Sequence, residues 1–229
     1  MKISRAAKEA VRETRRGNAG YVLYKIASRI PPSLFLYDHF YLIRLRRLAP
    51  AAMRKLPADA SLSVAAFSER EVERVSRDIP VDLGVIRFQM EGSDRRDARM
   101  IRIDQRGACI ALMCIVAVEE IKSPSGYRLA LGTDDRATWV VGTYIDERYR
   151  LRGYFAHLAA AAFEQCKANG TGNLAGEIHF ENTASLKAHL GMGFTIFKDI
   201  RYVRLFGKAF YWGDGGARRA RAGRATEGV

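Results

Sequence analysis

Residues 137–172, "ATWVVGTYIDERYRLRGYFAHLAAAAFEQCKANGTG", constrain the fold more than any other stretch of the chain. The first nine, Ala137–Ile145, are mostly apolar and rich in β-branched and aromatic types, the pattern of a buried strand. From Phe155 the apolar residues Phe155, Leu158, Ala159, Ala162, Phe163 and Cys166 fall at offsets 0, 3, 4, 7, 8 and 11, one face of a helix running to Ala168. Asn169–Gly172 ends that helix, with glycines suited to a left-handed cap. A strand must therefore turn into a helix within Asp146–Tyr154, and that turn holds Arg150, Arg152 and Gly153.

Such a turn has two readings. It is an ordinary strand-to-helix connection, or it is a cradle for phosphate. The first amides of a helix have no intrahelical acceptor and the helix dipole places partial positive charge there. A glycine lets the backbone approach a ligand, and arginines add forked, charged donors. The stretch lacks both the GxxxxGK[ST] of a P-loop and the GxGxxG of a dinucleotide fold.

The remaining chain reads as alternating strands and helices. Leu62–Ser68 suits a strand and Glu69–Ile79 a helix, with Ser68 and Glu71 spaced as a capping box. Residues 91–99 read as loop, and Ala108–Ile121 as one long strand or two short ones, which periodicity does not separate from a buried helix. Asn173–Phe180 reads as a further strand, Asn182 opens a short helix to about Leu190, and Phe194–Phe206 returns as a strand or hairpin. Upstream, residues 4–16 read as a polar helix, and an aromatic segment over residues 20–48 is divided by Pro31 and Pro32.

Charge divides the chain. The formal net charge is +13, but residues 1–57 carry +10, residues 215–229 carry +3, and the middle is balanced. The expected organisation is a basic, aromatic extension over 1–57, a folded domain over 58–213, and a disordered basic tail over 214–229. Basic ends point to anionic surfaces, and aromatics beside arginines in 1–57 suit peripheral membrane contact or a phosphate-rich surface, or else the aromatic segment packs on the main domain as an extra layer. A neutral middle argues against a nucleic-acid binder. Cys109, Cys114 and Cys166 make no metal motif and read as reduced core residues. With no signal-peptide order at the start and no long apolar run, the expected location is cytoplasmic, with membrane-peripheral attachment open.

A second constellation, "NTASLKAHLGMGF", places Asn182, Ser185, His189, Gly193 and Phe194 at offsets 0, 3, 7, 11 and 12. Together with Arg150-Leu151-Arg152-Gly153-Tyr154-Phe155 it resembles the GNAT superfamily of acyl-CoA-dependent N-acyltransferases. The resemblance covers residues 137–206 and extends plausibly from residue 60. It implies a mixed α/β fold, a strongly twisted mixed sheet flanked by helices. It implies acetyl-CoA or another short acyl-CoA as co-substrate, no metal, and an amine acceptor: a small amine, an amino sugar or a protein amine.

The resemblance also implies roles. Coenzyme would lie between the parallel strands 137–145 and 173–180. Tyr144 and Ile145 would contact it, with an amide around Thr143–Ile145 as oxyanion donor. Arg150, Leu151, Arg152, Gly153, Tyr154 and Phe155 would hold the pyrophosphate, and Asn182 and Ser185 the coenzyme arm. Asn182 serves equally as a helix cap. Phe155 stands where the family has Gly or Ala. His189 stands where the family often has Tyr, as the acid for the departing thiolate, against its reading as a surface helix residue. Glu177 is the candidate base, or else an arginine partner. The alternative function is a catalytically silent module of the same fold, attached to membrane or polyanion through its basic ends.

Overall fold

A computed structural model describes residues 30–31, 34–49, 55–80, 84–86, 90, 97–122, 128–130, 137–206, 208–213 and 216–219. The helix read at 4–16 lies outside them. The chain forms two compact units, Tyr41–Phe197, and Met1–Phe40 with Lys198–Val229.

The larger unit begins with the end of strand β1 (Phe35–Leu45), then β2 (Ala60–Ala66), helix α1 (Glu69–Val75), β3 (Arg99–Gln105) and β4 (Ala108–Val118). A separate hairpin, β5 (Glu120–Lys122) and β6 (Arg128–Ala130), precedes β7 (Ala137–Ile145). Helix α2 (Tyr154–Ala168), β8 (Leu174–His179) and α3 (Thr183–Gly191) come next, and β9 (Thr195–Leu205) starts here. Strand order in this unit is β1-β8-β7-β4-β3-β2. The β2/β3, β3/β4 and β4/β7 pairs are antiparallel, and β7/β8 is parallel. The sheet is therefore mixed, and the fold is α/β, as the resemblance implies.

Helix α2 covers one sheet face, packing on β3, β4, β7 and β8. Its stripe of Tyr154, Leu158, Ala159, Ala162, Phe163 and Cys166 joins Ile101, Ile103, Ile115, Leu174 and Ile178 in the core. Area removed from water stabilises each large aliphatic side chain by about 1.5–3 kcal/mol. Gly170, at φ +67, turns the chain off the helix, and the Thr171 amide reaches back to the Cys166 carbonyl at 3.0 Å.

The end of the aromatic segment packs on the domain, one of its two readings: Ile43 and Leu45 of β1 are fully buried in the larger unit's core. Three sequence expectations change. The capping box does not form. Ser68 makes no side-chain cap, and Glu71 pairs instead with Arg74 at 2.7 Å and Arg102 at 3.3 Å. Arg99, read as loop, begins β3. Residues 216–219, read as tail, form β11 (Gly216–Arg219), antiparallel to β10 (Lys208–Gly213).

The smaller unit orders its strands β11-β10-β9-β1. His39, which carried no expectation, is buried there and its Nε2 lies 2.7 Å from Asp199 Oδ1.

Candidate functional site

The site grows from an irregularity in β7. The register against β4 runs Met113↔Thr143 and Cys114↔Gly142, then jumps to Ile115↔Val140, leaving Val141 as an extra residue. This is a β-bulge. The Asp146 amide donates to the Ile110 carbonyl at 2.9 Å. By the alternation of antiparallel bonding, Tyr144 and Gly142 then also bond β4, and the amides of Thr143 and Ile145 face β8.

On that side the ladder stops while the partner strand runs on to His179. The parallel ladder between β7 and β8 holds Thr138↔Leu174 and Trp139↔Ala175 and goes no further. Its closed end is fastened: the Thr138 amide donates to the Asn173 carbonyl at 2.9 Å, and the Thr138 and Thr171 hydroxyls bond at 2.8 Å. Beyond it, Thr143 and Ile145 present amides with no strand partner. This is the splayed pair that the resemblance implied, opened by the bulge.

The turn after β7 is built from acid–base pairs. Asp146 caps a 3-10 turn, Glu147–Tyr149, accepting from the Arg148 amide at 2.9 Å. Arg148 returns its guanidinium to the same carboxylate at 2.6 Å, and these bonds hold the Asp146 carboxyl below the usual carboxylate range. Arg150 donates to the Ile145 carbonyl at 3.2 Å and meets Glu147 at 3.2 Å. Arg152 lies over the Tyr149 ring at 5.5 Å and makes no ion pair among the described residues. Of the three arginines, Arg148 is paired with Asp146, Arg150 with Glu147, and Arg152 with no carboxylate among the described residues.

Two left-handed residues shape the entry to α2, Leu151 at φ +63 and Gly153 at φ +88. Among the described residues, the amides of Leu151, Arg152, Gly153, Tyr154 and Phe155 take no backbone acceptor. Ala156 is the first that does, to the Gly153 carbonyl at 3.0 Å. A Cβ added at Gly153 would meet nothing within 4 Å. The glycine is therefore set by its backbone angle, and the space beside it is open. The Leu151 side chain is fully exposed. The Tyr154 side chain is buried in the core, so that only its amide faces the turn.

The second constellation sits on α3. Asn182 accepts from the Ser185 amide at 3.1 Å, which makes it the cap. His189 is neither of the things expected. It is buried, not on the surface, between Phe155 at 4.4 Å and Phe194 at 4.9 Å between ring centroids. Burial lowers its pKa below the ordinary histidine value, so the neutral ring is favoured near neutrality. Its Nδ1 lies 2.8 Å from the Ser185 carbonyl, which requires the proton there and leaves Nε2 as an acceptor. An imidazolium acid does not fit this setting. The ring instead braces α3 against Phe155, which explains an aromatic residue at the second position of α2.

Glu177 is half-buried on β8. Leu174 and Ile178 point into the α2 core, so Glu177, with Ala175 and His179, faces the opposite side of the sheet. The bulge sends Gly142 and Tyr144 to that same side. There a cavity of about 190 Å³ is lined by Pro80, Val85, Ile86, Leu112, Cys114, Val141, Gly142, Thr143 and Tyr144. Sequence reasoning missed it. An isolated glycine in "WVVGTY" was the available signal, since such a residue marks a bulge or a close approach.

The mixed sheet, the splayed parallel pair and the arginine-bearing turn at the start of α2 agree with the fold that the resemblance implies. Residues 79–194, half of the chain, match the acetyltransferase (GNAT) family, and the chain belongs to it. It is an enzyme of the acetyltransferase class. No curated protein matches the chain in sequence. Among solved structures it is similar to a tandem GNAT protein from the clavulanic acid biosynthesis pathway (14% identity, 79% of this chain and 55% of that one, TM-score 0.49). It is also similar to an aminoglycoside N-acetyltransferase in complex with CoA (16% identity, 59% and 91%, TM-score 0.42). A third is an aminoglycoside 6'-N-acetyltransferase from Acinetobacter baumannii (14% identity, 59% and 91%, TM-score 0.43). Among the described residues, no helix is long and apolar enough to cross a membrane.

Proposed function

We propose that the chain transfers an acetyl or other short acyl group from acyl-CoA to an amine. The observation that carries this reading is the turn Arg150–Phe155, where five amides without a backbone acceptor and Arg152 without an ion pair, among the described residues, follow the strand whose ladder with β8 has opened. Pyrophosphate needs that set of donors. The Ser185 and Asn182 positions on α3 are proposed for the coenzyme arm.

In the reaction the amine nitrogen attacks the thioester carbonyl carbon. The C–N bond forms, the carbonyl oxygen takes negative charge, and the C–S bond then breaks. The Ile145 or Thr143 amide, facing the gap, is the proposed donor to that oxygen. Glu177 is the proposed acceptor of the ammonium proton, directly or through water. The departing thiolate belongs to a thiol with a pKa near about 8.5, so solvent at the mouth can protonate it and His189 is not required. His189 acts here as a positioning residue.

Calorimetric titration with acetyl-CoA, with ATP as the polyanion control, tests the reading. Micromolar binding of acetyl-CoA with little ATP binding is expected. Arg152→Ala should weaken it ten- to hundredfold, about 1.5–3 kcal/mol for lost charge-assisted bonds. Arg148→Ala should change it far less, because its charge is already spent on Asp146. Equal binding of both ligands, or of neither, would leave the turn a basic connection and favour the silent-module alternative.

A further inference from the structure

We propose that the cavity on the Gly142 face of β7 seats an apolar group of the acceptor. The acceptor is then a monoamine with a short hydrocarbon or single-ring body, not a polycationic amino sugar. This rests on the acetyltransferase reading and deepens it.

Size comes first. The cavity holds about 190 Å³. An apolar cavity of about 150 Å³ stays dry and accepts a benzene molecule. One ring or a short branched chain therefore fits inside it. Chemistry points the same way. Pro80, Val85, Ile86, Leu112 and Val141 give an aliphatic wall, and no charged residue is among the described lining. Cys114, fully buried in that wall, has its thiol pushed up to about 12 and stays neutral. It therefore does not compete with the amine for the acyl group.

The position of the cavity agrees. Gly142 forms the floor, where an added Cβ would sit 3.7 Å from Ile86. A side chain larger than methyl would fill the space that the bulge opens. Glu177 faces the same side from the neighbouring strand, so an amine anchored by its hydrocarbon end would present nitrogen toward a carboxylate.

The test is calorimetry on the full chain without coenzyme, using n-alkylamines from ethylamine to hexylamine and phenethylamine. Glucosamine and an aminoglycoside are the polar controls. Kd should fall about fourfold per added methylene and then level off when the cavity is full. Gly142→Val should abolish that gain with chain length, and Gly142→Ala should keep most of it. A flat series in the native chain, or tighter binding of the aminoglycoside, overturns the proposal. If acetyl-CoA failed to bind, the transferase reading would fall, and the alkylamine series would still decide the cavity.

Discussion

His189 shows how far the setting of one residue departs from its type. A histidine in a polar helix pattern suggested either a proton donor or a surface position. Packed between Phe155 and Phe194, it is neither. Its burial has a consequence for stability. The folded pKa is below the ordinary value of about 6.5, so as pH falls the unfolded chain takes up the proton first. The contribution is complete above about pH 6.5 and is lost as pH falls toward the folded value. Thermal unfolding followed from about pH 8 to pH 5 should show a steeper fall in Tm for the native chain than for His189→Gln. Parallel slopes would remove the buried imidazole as the cause. Leu151 is the second such residue. Nothing in its sequence position announces a left-handed leucine, a conformation that costs about 1–2 kcal/mol outside glycine.

At the scale of elements, two glycines with the same backbone sign do different work. Gly153 at φ +88 starts α2 in open space, and Gly193 at φ +97 follows α3 against backbone. A Cβ at Gly193 would lie 2.9 Å from the Arg47 carbonyl and 3.3 Å from the Ala49 amide. That amide already bonds the Met192 carbonyl at 3.1 Å, so the segment cannot yield freely. Gly153→Ala should cost about 1–2 kcal/mol from its angle alone. Gly193→Ala should cost about 2–5 kcal/mol, angle and overpacking together. Denaturant midpoints of the two variants measure the difference, and equal midpoints would mean the Arg47 segment moves aside.

For the whole molecule, the change of composition and charge at residue 57 does not mark where the larger unit's core begins. Leu42, Ile43 and Leu45 are fully buried, and Ile43 and Leu45 share the core with α2. A chain truncated to residues 58–213 should therefore lose cooperative thermal unfolding and near-ultraviolet dichroism. The point variant Ile43→Ala should cost about 2–5 kcal/mol, as deletion of a buried aliphatic side chain does. A truncated chain that unfolds cooperatively would show that β1 is dispensable after all.

By itself the sequence determined the local grammar. It set the strand Ala137–Ile145, the apolar stripe of α2, the glycine-bearing arginine turn and the Asn182 cap. Each rests on neighbours within a few residues, where periodicity and capping chemistry act. Only the tertiary structure decided which strands pair, that the β7/β8 ladder ends after two residues, and that Tyr154 turns inward while Arg152 makes no ion pair among the described residues. It also decided that His189 is buried between two aromatic rings and that Gly142 floors a cavity. Those outcomes depend on desolvation, on register and on charges brought together from distant segments, and no window of adjacent residues carries them.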